Sequence, residues 1–175
     1  MDSSFLEFAY QDKAFPIGSG QTISQPYTVA FQTELLEVKK GDKILEIGTG
    51  SGYQACVLIE LGAKVFSIER QKKLYQKTKE FLDSIKYRVK TFYGDGYKGL
   101  KAFAPFDKII ITAGAPYVPQ DLLDQLKIGG ILVIPEGEGA VQVMKRIIKK
   151  SKTEFETQEF GNFSFVPLLE DKAND

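Results

Sequence analysis

Three glycines at alternate positions mark the segment of this chain that is best suited to hold a ligand. They lie in the sequence Leu45-Glu46-Ile47-Gly48-Thr49-Gly50-Ser51-Gly52-Tyr53, between a short apolar run and a segment with helical spacing. Because glycine has no Cβ, such a turn lets a ligand approach the backbone and leaves amide groups open to it. We therefore expect residues 48–52 to form a ligand-binding turn between a strand and a helix.

The residues around this turn argue against a dinucleotide. A dinucleotide-binding turn has a third glycine three residues after the second, where this chain has Tyr53. Glu46, two residues before Gly48, would also repel a pyrophosphate. S-adenosyl-L-methionine has no phosphate, and its mixed charges suit a carboxylate beside open backbone amides. The turn therefore predicts this cofactor, with a tight connection that binds nothing as the alternative.

Two more acidic residues follow the next two apolar runs. Glu69, which Arg70 follows, ends one run at a place where a carboxylate can accept both hydroxyls of a ribose. Asp95 follows the other run, and the glycines on either side of it, Gly94 and Gly96, would let it reach an adenine amino group. Either acid alone is as well explained by an exposed turn. Together they predict that the nucleoside of the cofactor is bound by Glu69, Arg70, Gly94, Asp95 and Gly96.

The pattern of apolar residues predicts the scaffold that positions these groups. Short β-branched runs alternate with longer segments of helical period, which is typical of a parallel sheet with crossover helices. Right-handed crossovers place helices on both faces of the sheet and gather the carboxyl ends of the strands at one edge. Strands are predicted at 43–47, 64–68, 89–93, 108–112 and 131–134, and helices at 28–38, 53–61, 71–85 and 120–126.

The chain is long enough for one domain with a single core, and we divide residues 1–175 into three segments. Residues 1–26 are expected to be irregular, and Pro26 can begin the first helix. Residues 27–135 form the α/β core. Residues 136–170 are expected to add antiparallel strands at 141–148, 155–160 and 163–166. The predicted fold is a three-layer α/β, Rossmann-like arrangement, mostly parallel with antiparallel C-terminal strands.

Composition excludes several other classes of function. Lys plus Arg and Asp plus Glu both number 23, so we expect no nucleic acid and no membrane surface as a partner. The start of the chain lacks the basic and apolar pattern of a signal peptide, so we expect a cytoplasmic protein. We also expect it to be a monomer. The chain has no His and a single Cys, Cys56, which excludes most zinc sites and every Ser-His pair. We expect no metal and interpret Cys56 as a small core residue.

The segment Phe15-Pro16-Ile17-Gly18-Ser19-Gly20-Gln21-Thr22-Ile23-Ser24-Gln25-Pro26-Tyr27 resembles the substrate-side motif of the protein-L-isoaspartate O-methyltransferases. The resemblance extends to Gly94-Asp95-Gly96 and Phe165-Val166-Pro167-Leu168. It implies that Thr22, Ile23 and Ser24 line the cofactor and substrate pocket, with Ser24 as the active-site residue. It also implies methyl transfer from S-adenosyl-L-methionine to isoaspartyl-containing peptides and proteins, which starts their repair through a succinimide.

Several alternatives stay open at this point. From the residues alone, Ser24 or Gln25 could simply cap the helix that Pro26 begins. Ser164 departs from the bacterial pattern, in which an arginine commonly precedes Phe-Val-Pro-Leu. Relatives usually carry additional helices before Ala9, so we expect less cover over the pocket here. The chain could also be a methyltransferase with another acceptor, or a relative that binds the cofactor without catalysis.

Overall fold

The apolar runs of the sequence form a seven-stranded sheet with the order β5-β4-β3-β6-β7-β8-β9. The computed structural model describes residues 11–173. Strands β3 to β7 are parallel, whereas β8 and β9 are antiparallel to their neighbours. The strands are β1 (Phe15–Gly18), β2 (Gln21–Ile23), β3 (Lys43–Ile47), β4 (Lys64–Glu69), β5 (Lys90–Tyr93), β6 (Phe106–Ile111), β7 (Leu126–Glu136), β8 (Gln142–Lys149) and β9 (Phe155–Phe163).

Four helices cover the two faces of this sheet: α1 (Pro26–Leu36), α2 (Tyr53–Glu60), α3 (Lys72–Ser84) and α4 (Gln120–Gln125). On one face, Leu36 of α1 and Leu58 of α2 pack with Ile44 and Ile110 of the central strands. On the other face, α4 packs against side chains from the alternate positions of the same strands. The predicted three-layer α/β fold is confirmed. The helix predicted at 28–38 begins at Pro26, the residue that could begin it, and ends two residues early, at Leu36.

The prediction that residues 1–26 are irregular is wrong for residues 15–23. Strands β1 and β2 form an antiparallel hairpin, in which Phe15 pairs with Ile23 and Pro16 with Thr22. Its turn uses Ser19 and Gly20, which both have positive φ angles of 51° and 66°. Positive φ at both central residues is typical of the two-residue turn that matches strand twist. This hairpin places Thr22 and Ile23 at the carboxyl edge of the large sheet.

The C-terminal strands also differ from the prediction in one respect. The two segments at 155–160 and 163–166 were predicted as separate strands, but β9 runs continuously to Phe163. The register against β8 shifts so that Gly161 is an extra residue with a φ of 47°. A glycine of this kind forms a β-bulge instead of a turn. Residues 164–166 leave the sheet and cross toward its carboxyl edge.

Within residues 11–173, no helix is both long and apolar enough to span a bilayer.

Candidate active site

A cavity lies at the carboxyl edge of the sheet, where β3, β4 and β6 end. The glycine-rich turn forms its floor, the β1-β2 hairpin forms one wall, and the segment that follows β9 forms another. The predicted site residues that line it are Thr22, Ile23, Ser24, Gly48, Thr49, Gly50, Ser51, Glu69, Arg70 and Gly96. The fold therefore brings together ten residues from four separate parts of the chain.

The backbone of the glycine-rich turn is held by the neighbouring strand and by α3. The amides of Gly48 and Thr49 both donate to the carbonyl of Ile68, at 2.9 and 3.1 Å. The hydroxyl of Thr78 donates to the carbonyl of Gly50 at 2.6 Å. Gly48 has a φ of +97°, and a Cβ at this position would lie 2.6 Å from Oγ1 of Thr112. The turn is thus fixed in a conformation that a residue with a side chain rarely adopts.

Glu69 joins the turn to the end of β4. Its Oε2 accepts from the amide of Gly50 at 3.0 Å and its Oε1 from the amide of Gln71 at 2.9 Å. The side chain is 5% exposed and lines the cavity. A carboxylate has about four acceptor positions, so two are left for a ligand in addition to the two backbone amides. Glu69 is therefore oriented before any ligand arrives.

Arg70 lines the cavity as well, but its guanidinium contacts the C-terminal segment. Nε donates to the carbonyl of Asp171 at 3.0 Å and an Nη atom to the carbonyl of Glu170 at 3.2 Å. Backbone bonds continue this contact, since the amide of Ala173 donates to the carbonyl of Arg70 at 2.9 Å. Arg70 thus holds residues 170–173 beside the carboxyl end of β4.

Ser24 lies in the cavity wall immediately before α1, and capping does not explain its position. The N-cap residue of α1 is Gln25, whose side chain makes no capping hydrogen bond. Instead, Oδ1 of Asp12 accepts from the amide of Tyr27 at 3.0 Å, and Gln25 donates to the carbonyl of Asp12. The first turn of α1 is therefore capped from outside. Ser24 thus lines a cavity next to the positive end of a helix, which favours an anionic ligand.

A second cleft adjoins the cavity and shares part of its wall. Thr22, Ser24, Thr112 and Val166 line both spaces, so the two meet at these residues. The remaining residues of the second cleft come from the hairpin, the start of α1 and the end of β9: Ala14, Gln25, Tyr27, Thr28, Asn162, Phe163, Ser164 and Phe165. Below, we call this second cleft the groove. The arrangement can hold two ligands that react where the spaces meet.

Four predicted site residues of the described chain are not in the cavity wall: Glu46, Gly52, Gly94 and Asp95. Glu46 is fully buried and accepts from the hydroxyl of Ser67, because alternation along β3 directs it beneath the turn with Ile44. Asp95 accepts from the amide of Tyr97 at 2.9 Å and lies 3.5 Å from Nζ of Lys98. A direct contact of these residues with a cofactor stays a prediction.

The comparison with known proteins places this site in a family. The sequence model described as protein-L-isoaspartate(D-aspartate) O-methyltransferase matches residues 1–173. The chain belongs to this family. The protein-L-isoaspartate O-methyltransferase of Christiangramia forsetii is 68% identical over 173 residues, which are 98% of this chain and 81% of the relative. The chain is therefore an enzyme, a protein carboxyl methyltransferase.

Solved structures of the family share the fold of this methyltransferase. A protein-L-isoaspartate O-methyltransferase superposes with a TM-score of 0.87 and 28% identity, over 97% of this chain and 56% of the other. A Plasmodium falciparum protein of the same description, solved in complex with S-adenosyl-L-homocysteine, gives a TM-score of 0.81 and 29% identity. That superposition covers 91% of this chain and 81% of the other.

Sequence reasoning missed three parts of the methyltransferase site. Thr112 lines both spaces, and its hydroxyl donates to the carbonyls of Ile47 and Gly48 at 3.1 and 2.8 Å. The segment 166–169 forms a wall of the cavity. Gln142 is 2% exposed, and its Oε1 accepts from the amide of Phe165 at 2.9 Å, which holds that segment in place. The Phe-Val-Pro-Leu motif was the signal that could have led to these residues.

Cys56 in α2 is partly buried and belongs to neither core cluster, so the prediction of a core residue is wrong in this respect. Burial raises the pKa of the Cys56 thiol from its ordinary value of 9.0 to about 11. Thiolate is the nucleophilic form of cysteine, so this thiol is unreactive at neutral pH. Cys56 therefore takes no part in the chemistry of the site.

Glu46 gives the folding stability of the enzyme a pH dependence. Burial, opposed by the hydrogen bond from Ser67, raises the pKa of Glu46 from its ordinary value of 4.5 to about 8. Between these two values the folded chain holds a proton that the unfolded chain has released, so the free energy of unfolding falls as the pH rises. As the pH rises through this range, we expect the free energy of unfolding of the wild type to fall by up to about 1.4 kcal/mol per pH unit relative to that of Glu46→Gln.

The measurement is urea unfolding of both proteins at pH 5.5 and pH 7.5. Glu46→Gln is a matched variant because its amide oxygen can still accept from Ser67 and it has no titrating proton. Parallel pH profiles of the two proteins would show that Glu46 is ionised in the folded state and would contradict the expected result.

Proposed function

We propose that the chain transfers the methyl group of S-adenosyl-L-methionine to the α-carboxylate of L-isoaspartyl residues in damaged proteins. The observation that carries the proposal is the pair of adjoining spaces that meet at Ser24 within a chain of this family. One space suits the cofactor, and the other is a groove open to a polypeptide. The methyl ester then closes to a succinimide, whose hydrolysis returns some normal aspartate, so the proposed role is protein repair.

Three observations indicate that the cavity fits the cofactor. The glycine-rich turn leaves the backbone uncovered, and a Cβ at Gly48 or Gly96 would collide with Thr112 or Ile47. Glu69 lines the cavity with acceptor positions left for ribose hydroxyls. One acidic and one basic residue, Glu69 and Arg70, also line the cavity, which matches the mixed charge of the methionine end. S-adenosyl-L-methionine is therefore the cofactor, and Gly48 to Ser51, Glu69 and Gly96 are its proposed contacts.

The four site residues outside the cavity wall take indirect roles in this proposal. Glu46 supports the turn from below through Ser67, whose hydroxyl also bonds with that of Thr49 at 2.6 Å. Gly52 packs against Leu82 of α3, where a Cβ would approach within 3.0 Å. Gly94 and Asp95 shape the start of the short helix at 96–98. Each residue then affects cofactor affinity through the shape of the cavity.

The chemistry of the transfer asks little of the protein beyond positioning. The bound sulfonium supplies an activated methyl group and a neutral leaving group. An isoaspartyl α-carboxylate is already ionised at neutral pH, so the chain needs no general base, in agreement with the absence of His. Ser24 can donate to one carboxylate oxygen and so direct the other oxygen toward the cofactor cavity. More donors on the attacking oxygen would stabilise the ground state and slow the reaction.

Transfer of labelled methyl from S-adenosyl-L-methionine to an isoaspartyl peptide tests the proposal. The matched control is the same peptide with normal aspartate, which differs only in the linkage. We expect base-labile label on the isoaspartyl peptide alone, because a methyl ester hydrolyses in base. Cofactor binding without any transfer would contradict the proposal and favour a non-catalytic relative, while label on both peptides would contradict the assigned specificity.

We also propose that the enzyme acts as a monomer on isoaspartyl proteins. The monomeric state is a prediction from the sequence. The cytoplasmic location stays a prediction from the sequence, and so does the absence of nucleic acid and membrane partners.

A further inference from the structure

The segment that follows β9 contributes to the walls of both spaces. Phe165 lines the groove, Val166 lines the groove and the cavity, and residues 167–169 line the cavity. Val166 is therefore one of the residues at which a bound carboxylate and the cofactor come together. A misplacement of about 1 Å at such a place can slow a reaction about a hundredfold, so turnover depends on how firmly this wall is held.

Gln142 begins β8 and reaches the chain where it leaves the sheet. Its backbone pairs with that of Phe163 at the end of the ladder between β8 and β9. Its side-chain Oε1 accepts from the amide of Phe165 at 2.9 Å, and its Nε2 donates to the carbonyl of Gly139 at 2.7 Å. The two partners fix the orientation of the carboxamide, because only its oxygen can accept from a backbone N–H. One side chain thus connects the wall to the turn between β7 and β8.

The carboxamide of Gln142 has no room to move. The residue is 2% exposed, and a Cβ at Gly114 would lie 2.7 Å from Cδ of Gln142. The glycine at this position thus lets the carboxamide lie directly against the backbone. A buried amide group that loses a partner costs free energy, so the carboxamide keeps both of its bonds. The start of the wall at Phe165 is therefore fixed by a buried hydrogen bond.

The cofactor end of the wall has an anchor of its own. Gly114 donates from its amide to the carbonyl of Val166 at 2.8 Å and accepts from the amide of Leu168 at 2.7 Å. Neither of these bonds includes the Gln142 side chain. Loss of the Gln142 carboxamide therefore frees the chain before Val166, where the groove begins, and leaves the part beside the cofactor in place.

We propose that Gln142 is a positioning residue for methyl transfer, which holds the start of the wall so that the substrate carboxylate meets the methyl group in line. The inference rests on the proposed function, because it assumes that an isoaspartyl carboxylate enters the groove. Gln142 lines neither space, so it acts through Phe165 and Val166 and touches neither reactant. Its loss is expected in kcat and in the KM for peptide, and not in the affinity for S-adenosyl-L-methionine.

The test replaces Gln142 by methionine, which has nearly the same shape but cannot form either bond. We expect Gln142→Met to lower kcat/KM for an isoaspartyl peptide about fivefold to tenfold. The Kd for S-adenosyl-L-methionine, measured by isothermal titration, should stay within about twofold of the wild type. Gln142→Glu should keep kcat/KM within about twofold of the wild type, because in either protonation state it has an oxygen that accepts from Phe165.

The matched control is Gln125→Met in α4. Gln125 is 3% exposed, and its carboxamide also bonds to backbone groups, those of Lys98, Leu100 and Asp121. None of these three residues lines the cavity or the groove. Both methionine variants should have lower melting temperatures, because each leaves buried backbone groups unpaired. Only Gln142→Met should lose turnover.

Three results would overturn the positioning role. They are an unchanged kcat/KM in Gln142→Met, an equal loss in Gln125→Met, and a loss of cofactor affinity as large as the loss of turnover. A loss in Gln142→Glu as large as that in Gln142→Met would contradict the bond to Phe165 as its cause. Absence of methylation in the wild type is a separate result, which would overturn the proposed function and this inference with it.

Discussion

Gly48→Ala is expected to lower the affinity for S-adenosyl-L-methionine by at least about tenfold and to reduce methyl transfer in parallel. The new Cβ would lie 2.6 Å from Oγ1 of Thr112, at a residue whose φ is +97°. A side chain in this backbone region costs about 1–3 kcal/mol. The collision also displaces the Thr112 hydroxyl, which bonds to the carbonyls of Ile47 and Gly48. Because Gly48 and Thr112 both line the cavity, movement of either residue changes its wall, and isothermal titration with the cofactor measures the result.

Gly129→Ala is the matched control for this experiment. Gly129 also has a positive φ, +81°, but no atom lies within 4 Å of the position that its Cβ would take. The substitution therefore introduces backbone strain in β7 without disturbing the glycine-rich turn. Both variants should have lower melting temperatures, whereas only Gly48→Ala should bind the cofactor more weakly. Equal affinities of the two variants would mean that the close approach at Gly48 has no role in binding.

The core elements could be predicted from the sequence because local signals and tertiary burial agree there. The segment 43–47 is a short, mostly apolar run that follows turn residues, and it forms β3 without a shift at either end. Pro26 fixes the start of α1 in the same way, since proline is favoured in the first turn of a helix. The strand predicted at 131–134 is too short, because β7 begins at Leu126 and includes a register shift between the paired residues Leu126 and Ile131, where Gly129 and Gly130 lie.

The hairpin and the C-terminal wall depend on contacts between distant residues. Strands β1 and β2 have only four and three residues, too few for a clear alternation. Ile17 packs over the glycine-rich turn, 3.5 Å from where a Cβ of Gly50 would lie. The segment after β9 is fixed by Gly114, whose amide donates to Val166 and whose carbonyl accepts from Leu168. Spacing along the chain contains no information about either contact.

The site residues show how far proximity in sequence can be trusted. Ser51 is predicted from its place in the glycine-rich turn and Glu69 from its place at a strand end, and both line the cavity. Glu46 is as close to the turn in sequence, but strand alternation directs its side chain toward Ser67 and away from the ligand space. The alternation of side chains along a strand therefore decides which of them face the ligand. A set of ligand-binding residues inferred from sequence needs to take this alternation into account.

Ser24→Ala is expected to lower the kcat of methyl transfer by about tenfold to a hundredfold, because one oriented donor to the substrate carboxylate is lost. The affinity for S-adenosyl-L-methionine should stay within about twofold, since the turn and Glu69 are unchanged by the substitution. The side chain makes no capping bond to α1, where Asp12 contacts the amide of Tyr27 instead. The helix should therefore keep its stability, and initial rates with isothermal titration separate the two effects.

Ser84→Ala provides the matched control, because this serine is exposed at the end of α3 and bonds only to the carbonyl of Phe81 among the contacts described. It should leave both kcat and cofactor affinity at wild-type values. Equal losses of transfer and affinity in Ser24→Ala would instead make Ser24 a structural part of the cofactor cavity. An unchanged kcat would assign the orientation of the carboxylate to another donor where the cavity and the groove meet, such as the hydroxyl of Thr22.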